Sequence, residues 1–120
     1  MRTFIKNIIL SEVPGTYYYN CGDAEKAKEI TLKLFKEGER SPNNLLLLGR
    51  IYFHENKLED AHDYLIKSLI RYSPVEPTLI QQQSAYQYLF QIEKKRRNLS
   101  RAVEYAEKSL SFQDSINKRV

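Results

Sequence analysis

The chain has 120 residues, 42% of them apolar and 28% charged, and a net charge of +4. That length suits one domain, 1–120, and the apolar share is enough for stacked helices but not for a membrane span. The single cysteine, Cys21, excludes an intramolecular disulfide, which is compatible with a reducing compartment and favours the cytoplasm without proving it.

Met1 to Ser11 reads MRTFIKNIILS, and residues 1–13 make an irregular N-terminal stretch. Arg2 and Lys6 ahead of Ile8, Ile9 and Leu10 resemble a secretory leader only superficially, because Glu12, Pro14, Asn20 and three tyrosines stand where a long apolar region and small residues should follow. The stretch reads instead as a short helix covering the open face of what comes next. Pro14 falls in the middle of the first predicted helix and should break or kink it. Tyr17, Tyr18 and Tyr19 point in different directions on that helix. The register sends Tyr18 to the core and Tyr19 to the inner surface, so Tyr19 alone is a binding candidate. Cys21, with Gly22 and Asp23, reads as a turn, and no histidine is fixed near it as a base.

Asp23 to Glu37 is the second predicted helix, with Ala27, Ile30, Leu34 and Phe35 inward and Lys26, Lys28, Lys33 and Lys36 outward. Those lysines alternate with Glu25, Glu29 and Glu37, the pattern of a solvated face. Gly38 is placed to end the helix in a left-handed cap. Ser41 as N-cap and Pro42 as first residue open the third helix. Leu45, Leu48 and Tyr52 form its apolar stripe, Asn56 and Lys57 interrupt it, and Leu58, Ala61, Leu65, Ser68 and Leu69 rebuild it on a fourth helix to about Tyr72. Gly49 and Ala61, both small, are the expected point of closest approach, with Tyr52 and Leu65 on the flanks. His54 and His62 lack the one-turn spacing of a zinc pair on a helix, and Glu55, Glu59, Asp60 and Asp63 show no calcium-loop pattern, so no metal or other cofactor is expected.

Extra residues around Pro74 and Pro77 precede a helix opening near Thr78 and ending in the run Lys94–Arg97, KKRR. Cations at a helix C-terminus meet its negative dipole end. With Gln81 to Gln83, Gln87 and Gln91 on the same helix they also raise nucleic-acid binding as an alternative, though without aromatic interleaving. The final helix carries Leu99, Ala102, Ala106, Ser109 and Leu110; Val103 and Leu110 lie on an outer stripe that nothing further covers. Two readings follow, a self-associating end or a segment of a longer protein.

A period runs through these elements. Gly15, Tyr18 and Ala27 recur 34 residues later as Gly49, Tyr52 and Ala61, and a third copy, with Leu89, Phe90, Asn98 and Ala102, follows 41 residues on. The interval and the order Leu, Gly, Tyr, Ala resemble the tetratricopeptide repeat, a 34-residue helix–turn–helix unit. Over residues 8–41, 42–75 and 83–116 the resemblance implies an all-α, right-handed superhelix of about three hairpins. Phe90 and Glu93 depart from the family's small residue and tyrosine.

The resemblance further implies a concave groove lined by the first helix of each repeat. Carried over, the partner-binding positions are Tyr19 in the first repeat, Asn43, Leu46, Arg50, Phe53 and His54 in the second, and Gln87, Gln91 and Lys94 in the third, with Phe53 and Leu46 as anchors. The lysine–asparagine clamp of chaperone-binding members is missing: Glu12, Thr16, Leu47, Ser84 and Tyr88 occupy its positions. KSLSFQDSINK is similar to the junction after the last repeat in some bacterial regulators of this family, whose array can be a periplasmic segment of a membrane-anchored protein. The implied function is a scaffold that binds a protein or peptide partner; a homodimer through the last hairpin is the structural alternative. No nucleophile–base pair, phosphate-cradling loop or motif-spaced carboxylate pair supports an enzyme.

Overall fold

The computed structural model describes residues 14–70 and 77–118. Every regular element among them is an α-helix: α1 (Pro14–Asn20), α2 (Ala24–Lys36), α3 (Pro42–His54), α4 (Leu58–Ser68), α5 (Leu79–Lys95) and α6 (Leu99–Lys118). The expectations for residues 1–13, Tyr72 and Pro74 lie outside the described residues. No described helix is long and apolar enough to cross a membrane.

The helices open on local signals. Asp23 Oδ1 accepts from the Lys26 N–H at 3.1 Å, and at α5 Thr78 and Gln81 make a reciprocal capping box, which satisfies two otherwise orphaned N–H groups. Ser41 differs from expectation, since its side chain makes no cap hydrogen bond; Pro42 alone provides the start signal of α3. Gly38, with φ at 99°, closes α2 as anticipated, and the Glu39 N–H returns to the Leu34 carbonyl at 2.9 Å.

The turn that closes α2 recurs inside each hairpin. The N–H groups of Asp23, Lys57 and Asn98 donate to the carbonyls of Tyr18, Tyr52 and Glu93, each at 2.9 Å. The residue before each donor, Gly22, Asn56 or Arg97, is left-handed, with φ of 87°, 62° and 62°. Each such turn folds two helices into an antiparallel hairpin, and four residues past the donor a buried alanine follows: Ala27, Ala61 or Ala102. The 34- and 41-residue offsets read from the sequence therefore hold for backbone hydrogen bonds as well as for side chains. The seven extra residues are shared between α5, which has 17 residues to the 13 of α3, and the connection before it.

α1 packs on α2, α3 on α4 and α5 on α6; α2 then meets α3, α4 meets α5, and α1, α3 and α5 touch one another in sequence. These three make one layer and their hairpin partners the other. Because α3 has neighbours on several sides, it is buried nearly all round, from Asn44 to Gly49 and again at Ile51 and Phe53. Leu47 and Ile51 join Ala27 in one cluster, with Tyr18 and Tyr19 against it; Leu46 and Phe53 join Ala61, Leu65, Ala85, Leu89, Ile92 and Tyr105 in another.

The expected Gly49–Ala61 contact is displaced. A hairpin folded about Lys57 sets Gly49 opposite Leu65, and a Cβ on Gly49 would meet that leucine. A Cβ on Gly15 would meet Thr31 of its own hairpin and Leu47 of the next. Thr31, which the sequence reading passed over, is fully buried there, its hydroxyl donating to the Ala27 carbonyl at 2.6 Å. α4 also ends at Ser68, short of the predicted limit.

Candidate partner-binding groove

The layer of α1, α3 and α5 carries a cavity of about 340 Å³ lined by Leu46 and Arg50 from α3 and by Ser84, Gln87, Tyr88 and Gln91 from α5. Four of the predicted site residues, Leu46, Arg50, Gln87 and Gln91, thus come together from two separate hairpins. Their spacing explains why: 46 and 50 are one helical turn apart, as are 87 and 91, so each pair lies along one face of its helix. A shallower depression lined by Phe90, Gln91, Lys94 and Lys95 shares Gln91 with this cavity.

Arg50 dominates the electrostatics of the groove. Its guanidinium carbon lies 4.9 Å from the ring centroid of Tyr19, which links the first hairpin to the cavity wall by a cation–π contact. Its buried Nε has no hydrogen-bond partner among the described residues. None of the lining residues is acidic.

The remaining predicted residues stand at the margins or below. Asn43 Nδ2 donates to Thr16 Oγ1 at 3.3 Å and ties the start of α3 to α1. Phe53 is 7% exposed and Leu46 8%, so neither is a projecting anchor; Leu46 lines the cavity and Phe53 is not among its lining residues. Tyr88 stands edge-on to Phe53 with centroids 5.4 Å apart, and exposed His54 lies beside both rings. Lys95 places its ammonium 4.8 Å from the Phe53 centroid, covering the ring from the side. Tyr88 lines the cavity as well as packing on Phe53, a role the sequence reading did not give it. The signal was present, since Ser84 and Tyr88 are one turn apart and flank Gln87.

The KKRR run does not form one basic surface. Lys94 and Lys95 close α5 on the groove side of Gln91, whereas Arg96 turns to Glu59 of α4 at 2.7 Å and to Glu93 at 3.2 Å. Glu93, at the position of Tyr52 in the preceding hairpin, is buried, and Arg96 is the cation that compensates it. Arg97 serves the left-handed turn. A related link joins the first two hairpins, Lys28 to Glu55 at 3.0 Å.

Cys21 is exposed in the first turn, and His62 Nδ1 lies 3.6 Å from Asp63. On α6, Leu99, Val103 and Leu110 follow at intervals of four and seven and share one face, 69%, 56% and 69% exposed. Compared with protein-family models, curated proteins and solved structures, the chain matches none of them.

Proposed function

We propose that this chain is a protein-interaction module, a stack of helical hairpins similar in plan to the tetratricopeptide repeat, that takes a peptide or helix of a partner into the groove between α3 and α5. The observation that carries the reading is the convergence of Leu46, Arg50, Gln87 and Gln91 on one cavity. Amide side chains, a guanidinium and an aromatic over an apolar floor suit peptide recognition, with polar groups fixing register and the floor taking apolar side chains. The right-handed superhelix and a place in a bacterial signalling or regulatory protein belong to the same proposal and rest on the repeat resemblance. The division of KKRR between groove edge, ion pair and turn favours a protein partner over nucleic acid.

The test is selection from a library of random twelve-residue peptides displayed on phage, run against the whole chain and against Gln87→Trp, which fills the groove from an exposed position. The reading predicts enriched sequences that bind the parent chain and lose at least tenfold in affinity for Gln87→Trp. Enrichment indifferent to that substitution would place binding elsewhere.

A second reading has its own observation, the exposed stripe Leu99, Val103 and Leu110. Two copies joined through α6 would cover it. Light scattering across a dilution series would then give a concentration-dependent mass that Leu110→Lys returns to the monomer; a monomer at all concentrations removes this reading.

A further inference from the structure

We infer that the occupant of the α3–α5 groove is a peptide carrying an acidic side chain, seated on Arg50. The inference rests on the groove reading above and specifies its ligand. Arg50 places a guanidinium cation in the wall of a concave site. No carboxylate lines that site, and the Arg50 Nε–H, shielded from water, has no acceptor among the described residues. Shielding a polar N–H without a partner is unfavourable, so this guanidinium is not satisfied by the chain's own acceptors at Nε.

The geometry suits a carboxylate. The guanidinium carbon stands 4.9 Å from the Tyr19 ring centroid, and the planar N–H fork of a guanidinium matches the two oxygens of a carboxylate. Gln87 and Gln91 on the opposite wall offer amides that can donate to the same group or pair with a peptide backbone. Arg96, by contrast, is already neutralised by Glu59 and Glu93, so the basic character of the chain does not by itself produce free cations. The assignment is to a side chain and not a chain terminus, since a second depression, at Phe90, Lys94 and Lys95, adjoins the cavity at Gln91 and offers room for more of the peptide. A peptide can run on through it.

The phage peptides provide the probe, since display fused at the peptide's C-terminus leaves no free terminal carboxylate. One enriched peptide is then synthesised with an amidated C-terminus, alongside its Glu→Gln or Asp→Asn twin. Both are titrated against the parent chain, Arg50→Met and Arg50→Lys, with circular dichroism confirming that each variant is folded. The expected result is a shared acidic position among enriched peptides, at least tenfold weaker binding of the neutral twin, and loss of that discrimination in Arg50→Met with partial retention in Arg50→Lys. Peptides blocked by Gln87→Trp but free of acidic residues, or discrimination that survives in Arg50→Met, would overturn the acidic assignment while leaving the groove in place. Should Arg50→Met not fold, equal binding of the two twins by the parent chain alone refutes the assignment. Binding unaffected by Gln87→Trp would overturn the groove reading and this inference with it.

Discussion

Leu65 lies directly over Gly49: a Cβ built on that glycine would stand 2.6 Å from both Cγ and Cδ2 of the leucine. Leu65 is fully buried and cannot swing aside. Gly49→Ala gains about 1 kcal/mol in helix propensity but forces an overpacked contact costing about 1–3 kcal/mol, so the sign is set by how little Leu65 can yield. The expected outcome is a net loss of up to about 2 kcal/mol in urea unfolding, recovered in part when Leu65→Val is added. The corresponding third-hairpin positions carry Phe90 and Ala106, large where the second hairpin is small and small where it is large. Equal or greater stability of Gly49→Ala would mean that the helices are not held at this separation.

The turn residues predict a change of the opposite sign. Arg97 adopts φ of 62°, which Gly22 adopts without a Cβ in the first hairpin. Arg97→Gly is therefore expected to stabilise by about 0.5–1 kcal/mol, because the left-handed conformation costs an L side chain about 1–2 kcal/mol and glycine's greater unfolded entropy offsets only part of it. Thermal unfolding by circular dichroism should show a midpoint raised by a few degrees; a lower midpoint would indicate that the Arg97 side chain holds something in place.

These two sites mark what was legible in the sequence. The hairpins, their turns and the 34- and 41-residue offsets follow from small residues and turn formers at fixed positions, which depend on local backbone chemistry. The Gly49 partner was misplaced because counting residues across a turn does not by itself give the fold point; the hydrogen bond from Lys57 to Tyr52 does. Phe53 and Leu46 were assigned as anchors on the assumption that α3 buries one stripe, whereas neighbours on several sides bury most of it. The Arg96–Glu59 pair joins residues 37 apart in sequence, and no local pattern announces it.

Within KKRR, only Arg96 should matter greatly for stability. Arg96→Ala leaves the Glu93 carboxylate, 4% exposed, without its cation, a change expected to cost about 2–4 kcal/mol. Lys94→Ala, at an exposed position, should alter stability by about 0.5 kcal/mol or less. Adding Glu93→Gln to Arg96→Ala should restore part of the loss, since the uncompensated charge is then gone. Similar effects of Arg96→Ala and Lys94→Ala in urea unfolding would show that Glu93 does not depend on Arg96.

The Lys28–Glu55 link makes stability depend on pH. The hydrogen bond from Lys28 holds the Glu55 carboxyl below its ordinary 4.5, against the opposing effect of burial. The same bond raises Lys28 above its ordinary 10.5. The lowered carboxyl contributes stability above pH 4.5 that is lost as pH falls through its folded value, and the raised ammonium contributes below pH 10.5 and is lost as pH rises through its own. Between those limits the pair should be worth about 0.5–1 kcal/mol. The stability gap between the parent chain and Glu55→Gln, measured by urea unfolding, should narrow from pH 7 to pH 3; a constant gap would show that the pair does not contribute.

The most direct test of the groove places a photo-crosslinking benzoylphenylalanine at exposed position 94, on the groove margin, in one variant and at position 110 in another, each irradiated with the tightest display-selected peptide. Mass spectrometry should find the peptide joined at position 94 and not at position 110. Crosslinking at 110 alone would contradict the account and make the exposed face of α6 the working surface.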